Sequence, residues 1–153
     1  MKILKHGHGA SGFTVIELIV AIAIATIVVA IAIPTWVTWL PTLRLSNAAR
    51  QVATDLQVAR MKAISQNTAF QVSISSTTYV IQKCTPSCAS PTNDSGNITL
   101  PEGITATSSA TPQFQPRGTA NSAATITLAN GSEQKWVCVR IVGRVNLQDT
   151  NCT

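Results

Sequence analysis

Charge is scarce in this chain. Only 11% of its 153 residues are Asp, Glu, Lys or Arg, and six of those are acidic. Histidine is nearly missing: the two copies are His6 and His8. The rest of the chain therefore builds no Ser-His-Asp or Cys-His site. The later acids, Asp55, Asp94, Glu102, Glu133 and Asp149, are scattered, and no acid pair points to general acid–base work. There is no glycine-rich phosphate loop; Gly118, Gly131 and Gly143 read as turn glycines. Neither an enzyme nor a cofactor is expected.

Cysteine is sparing but patterned. Cys84, Cys88, Cys138 and Cys152 all lie in the second half of the chain. Four cysteines allow three pairings. Cys84–Cys88 and Cys138–Cys152 are favoured because each closes a local loop. Residues 13–153 hold no histidine and no CxxC pair, so a zinc site is not expected. Disulfides imply an oxidising compartment outside the cytoplasm.

What the chain has in abundance is one apolar run. Phe13 to Ile33 carries a single charge, Glu17. At about 1.5 Å per residue a helix of this length matches a bilayer core. A carboxylate in such a span costs a few kcal/mol, so a partner or a task is expected for it. Lys2 and Lys5 precede the run and predict a cytoplasmic leader with the remainder exported. No small-x-small cleavage site follows the run directly. The small residues Ala10, Ser11 and Gly12 come before it instead, so cleavage at Gly12 leaves the helix on the mature protein. Removing two lysines lowers the formal charge from +5 to +3, a mildly basic balance that permits nucleic acid or anionic lipid without demanding either.

Beyond the run, Pro34 predicts a bend, and Pro41 makes Thr35–Pro41 insecure as continuous helix. Trp36 and Trp39 read as interfacial anchors. Leu45, Ala49, Val52, Leu56, Ala59 and Ala63 recur at three- and four-residue steps, an amphipathic stripe with Arg44, Arg50, Arg60 and Lys62 on its polar side. The helix should end near Gln66–Asn67. Strands are expected at 69–75 and 78–83, joined across Ser76 and Thr77. Further strands are expected at 98–100, 103–108, 112–115, 123–129, 134–142 and 144–148, with 84–97 as a loop. Asn130-Gly131 marks a hairpin. The expected architecture is α+β: a long N-terminal helix, transmembrane then amphipathic, packed on a small antiparallel β-sandwich. The divisions are a leader at 1–12, a membrane and assembly helix at 13–40, an amphipathic helix at 41–67 and a β-rich domain at 68–153.

The run Gly12-Phe13-Thr14-Val15-Ile16-Glu17 resembles the processing site of type IV pilins and type II secretion pseudopilins. The resemblance implies cleavage between Gly12 and Phe13 by a prepilin peptidase and N-methylation of Phe13. It also implies pairing of Glu17 with the N-terminal amine of a neighbouring subunit. In lipid a carboxylate and an ammonium compensate one another. Residues 59–64 (Ala-Arg-Met-Lys-Ala-Ile), Phe114-Gln115-Pro116-Arg117-Gly118 and Gly143-Arg144-Val145 resemble motifs of the H-type pseudopilin and FimT branch. The implied protein is a structural subunit of a pseudopilus or pilus. It would be single-pass in the bacterial inner membrane, with a periplasmic domain and other pilins or pseudopilins as partners. The alternative is a FimT-like minor pilin that binds DNA through a C-terminal Gly-Arg-x-Arg motif. Here Asn146 replaces the second arginine, which removes one phosphate contact. Arg117, Lys135, Arg140 and Arg144 are the candidate DNA contacts. Trp136 reads as a core residue, with base stacking as its other use.

Overall fold

A computed structural model of the chain describes residues 12–85 and 87–152, without the side chains of residues 32–38. The leader residues up to Ser11, both histidines and the Trp36 side chain lie outside the described residues. The chain divides into two compact units, one ending at Thr38 and one running from Trp39. Helix α1, Val15–Ser65, contributes to both. It is unbroken through Pro34 and Pro41, so the expected interruption at Thr35–Pro41 is absent. A proline removes one donor, and the hydrogen bonds before and after it carry the helix on.

In the first unit every described side chain from Gly12 to Ile31 is exposed. A helix apolar on all sides has no inward face of its own to bury. Among the described residues no helix is long and apolar enough to cross a membrane. The described side chains of the run stop at Ile31, short of the Ile33 to which the sequence carries it.

In the second unit the same helix becomes one-sided. Leu45, Ala48, Ala49, Val52, Leu56, Ala59 and Ala63 are all buried, which is one face at helical spacing. The helix closes with a Schellman motif. Thr68 N–H donates to the Ala63 carbonyl at 3.2 Å and Asn67 N–H to that of Ile64 at 3.3 Å. Asn67 takes the left-handed conformation this requires, with φ of 48°.

Two antiparallel sheets follow. The first contains β1 (Phe70–Ile74), β2 (Thr78–Lys83), β3 (Thr92–Asn93), β4 (Ile98–Thr99) and β6 (Gln113–Phe114). The second runs in the order β5 (Thr105–Ser108), β7 (Ala124–Ala129), β8 (Gln134–Val139), β9 (Val145–Gln148). Phe70, Val72 and Phe114 from the first and Ile126, Leu128, Val137 and Val139 from the second join the helix stripe in one core. Strand β3 lies inside the segment expected to be loop. It pairs with β2 through Gln82–Asn93 and Lys83–Thr92, and its two exposed polar residues give no apolar alternation to detect.

Trp136 is not a core residue. Strand period two turns Val137 and Val139 inward, which leaves Trp136 half-buried on the other face. The unbroken apolar run from Trp136 to Val139 hides that alternation. The strand also stops at Val139 and not at Val142, because Arg140 begins a turn.

Candidate functional site

The first helix opens with a cap. Thr14 Oγ1 accepts the Glu17 N–H at 3.3 Å and the Thr14 carbonyl accepts from Leu18 N–H at 3.2 Å. This is half of a capping box, Thr-x-x-Glu. Among the described residues the Glu17 carboxylate makes no hydrogen bond or ion pair, and Glu17 is exposed. Phe13, at 83% exposure, and Gly12 precede the cap. An added Cβ at Gly12 meets nothing within 4 Å, so the fold does not demand glycine there.

The cysteines pair as Cys84–Cys88 and Cys138–Cys152, with Cα separations of 4.4 and 5.7 Å. The first sits beside the short strand β3. The second ties the C-terminal tail back onto β8.

Of the four candidate DNA contacts, Arg117, Arg140 and Arg144 belong to two turns and Lys135 lies on β8. Lys135 forms an ion pair with Asp149. Arg140 and Arg144 line one recess, and Arg117 lines another with Asn67 and Gln115. The Nε of Arg144 donates to Asn146 Oδ1 at 3.1 Å.

The three domain motifs, far apart in the chain, meet at one point. Gln115-Pro116-Arg117-Gly118 is a turn in which Gly118 N–H donates to the Gln115 carbonyl and Gln115 N–H to that of Thr119, both at 2.8 Å. Arg140-Ile141-Val142-Gly143 repeats it: Gly143 N–H donates to the Arg140 carbonyl at 2.8 Å and Arg140 N–H to that of Arg144 at 2.9 Å. Each ends on a glycine with φ near +80°, namely +80° at Gly118 and +79° at Gly143, the pattern of a type I turn closed by a glycine bulge. The turns touch. A Cβ at Gly143 would lie 1.8 Å from the Gly118 carbonyl oxygen. That same oxygen accepts Arg60 Nε–H from α1 at 2.7 Å. Ala120 N–H donates to the Ile141 carbonyl at 2.8 Å and closes the junction.

Arg60 does not lie on the polar side of the helix, where the stripe places it: it is half-buried, bonds the first turn and packs against the second. The signal available in the sequence was its place next to Ala59, at the border of the apolar stripe. Lys62, expected on the same polar side, pairs with Asp94 at 2.6 Å. A second helix–sheet bond escaped the sequence. Tyr79 Oη on β2 donates to Asp55 Oδ2 on α1. Burial, and then the adjoining Asp55 carboxylate, push the Tyr79 hydroxyl well above the ordinary phenol range.

Comparison with known proteins bears on both regions. Residues 48–143 match the family profile "Type II transport protein GspH", and residues 8–33 match the prokaryotic N-terminal methylation motif. No curated protein sequence matches the chain. Among solved structures, the type IV minor pilin FimU of Pseudomonas aeruginosa is 22% identical with a TM-score of 0.56. That match covers 68% of this chain and 87% of that one. The minor pseudopilin EpsH of the type 2 secretion system of Vibrio cholerae is 15% identical with a TM-score of 0.58, covering 69% and 97%. At these identities the likeness establishes a shared fold.

Proposed function

The chain belongs to the GspH family of type II transport proteins, and from that premise we propose how it works as a minor pilin or pseudopilin. It is a structural subunit of a type II secretion apparatus or type IV pilus, and its N-terminal methylation motif implies processing by a prepilin peptidase. In our reading the leader is cut between Gly12 and Phe13, and the new amine of Phe13 is methylated. The helix that follows anchors the chain as a single pass in the bacterial inner membrane, with the β domain on the periplasmic side.

The observation that carries this reading is the state of the first unit. A capped helix exposes apolar side chains all round and holds one carboxylate, Glu17, that no described group of the same chain engages. Lipid and neighbouring helices cover the apolar surface. The neighbour's amine covers the charge, since each ion is costly in lipid when alone. The protein's work is packing and charge pairing, without turnover. The alternative of DNA capture is weakened at Lys135, which Asp149 holds.

Gly12→Ala tests the proposal at its first step. The fold accepts the added methyl freely, so the substitution acts on processing alone. Mass spectrometry of the membrane-extracted protein is expected to show the full leader retained. A variant that still yields a chain beginning at methylated Phe13 overturns the assigned cleavage requirement.

A further inference from the structure

The clamp around Arg60 does more than hold two turns together. It presents the second turn outward. Ile141 and Val142 occupy the centre of that turn and are 61% and 67% exposed. They line a recess of about 440 Å³ with Ala123, Arg140, Arg144 and Asn146. On its other side Arg144 also lines a recess of about 320 Å³ with Gln57, Arg60, Met61, Ile64 and Val145. Met61 and Ile64 are themselves exposed, at 62% and 49%. Two recesses, each part aliphatic and part polar, thus flank the Arg144 guanidinium group.

No acidic residue lines either recess. The ion pairs among the described residues are Lys62–Asp94 and Lys135–Asp149, so Arg140 and Arg144 lack a carboxylate partner there. Arg144 uses Nε on Asn146 and keeps its terminal amino groups for another acceptor. Exposed apolar side chains grouped around unpaired charge mark an interaction surface. The close approach of Gly143 to the Gly118 carbonyl fixes the turn before any partner arrives, which lowers the ordering cost of binding.

We propose that this surface docks a protein segment presenting a carboxylate between two aliphatic side chains. The carboxylate meets the Arg144 guanidinium as a charge-assisted pair, with Arg140 beside it. The aliphatic side chains fill the sockets at Ile141–Val142 and at Met61–Ile64. A phosphate backbone would satisfy the guanidinium groups and leave those four aliphatic side chains wet, so the observations favour a protein over a nucleic acid. The proposal does not depend on which apparatus the subunit serves, nor on the processing step above.

Photocrosslinking of the full-length chain in its own cells tests it. A benzoyl-phenylalanine placed at position 142 is expected to give an adduct, mapped by mass spectrometry to a segment with an acid between two aliphatic residues. Arg144→Ala is expected to reduce the adduct by at least about fivefold. Arg144→Glu should abolish it, and lysine in place of the captured acid should restore it. Thermal melts of the exposed-site variants are expected to match the parent, which separates lost docking from lost folding. An adduct with nucleic acid, with lipid, with a segment lacking such an acid or with a second copy of this chain overturns the proposal. So does a yield no higher than that from the same photoprobe at Thr105, or one unmoved by Arg144→Ala.

Discussion

Val15 to Ile31 and Leu45 to Ala63 are stretches of one helix with opposite exposures. In the first, apolar side chains face outward on every side. In the second, one stripe is fully enclosed while residues such as Arg50 and Gln57 stay exposed. The first stretch has no core of its own and is completed by whatever surrounds it. The second is completed by its own chain, through contacts made with both sheets. Substitutions in the first should therefore change partners and leave folding alone, and substitutions in the second should do the reverse.

The sharpest break of that contrast lies at Gly143. Gly143→Ala drives a methyl group into the Gly118 carbonyl and strains a left-handed residue. A loss of about 4 kcal/mol or more is expected, seen in chemical denaturation of the full chain in detergent. Glu17→Ala should do the opposite. On the pairing proposed above, it strands a neighbour's ammonium in assembly at about 3–5 kcal/mol. Co-purification with other pilin-like subunits should fall, while the melting of the β domain stays unchanged. Arg60→Ala leaves the buried Gly118 carbonyl without its charged donor and should cost about 2 kcal/mol.

Tyr79→Phe is the mildest, at about 1 kcal/mol near neutral pH. It carries a pH signature. The folded Tyr79 hydroxyl ionises above its unfolded value, so its contribution is intact below about pH 10, the unfolded phenol range. Above that the unfolded state sheds the proton first, and the contribution is lost as pH rises toward the folded value. Denaturation midpoints followed into alkali should fall more steeply for the parent than for Tyr79→Phe. Equal slopes would remove Tyr79 from the account.

The same contrast explains what could be read from the residues alone. The first unit speaks in adjacent letters: Gly12, Phe13 and Glu17 sit within one short run, and the apolar stretch is continuous. The α+β class and the helix stripe from Leu45 to Ala63 were legible for the same reason, since periodicity is a local property. The clamp was not. Arg60 and Gly118 are 58 residues apart, and nothing in either segment names the other. Their motifs could be noticed, but only the fold shows that Gly143 packs against the carbonyl oxygen that Arg60 binds. Trp136 failed for a related reason: in a strand with apolar residues on both faces, composition does not say which side is inward. The two-residue strand β3 is held by backbone pairing to β2, which leaves no trace in residue type.

The bond between Cys138 and Cys152 has a consequence for how the domain could come apart. Strand β9 lies at the edge of its sheet and is the last of the described strands, a place where fraying ordinarily starts. With Cys152 fastened to β8, that strand is a segment of a closed ring and has no loose end to lift. It can open only as a whole, against all its cross-strand bonds at once. The oxidised domain should therefore outlast the reduced one in a protease-rich compartment.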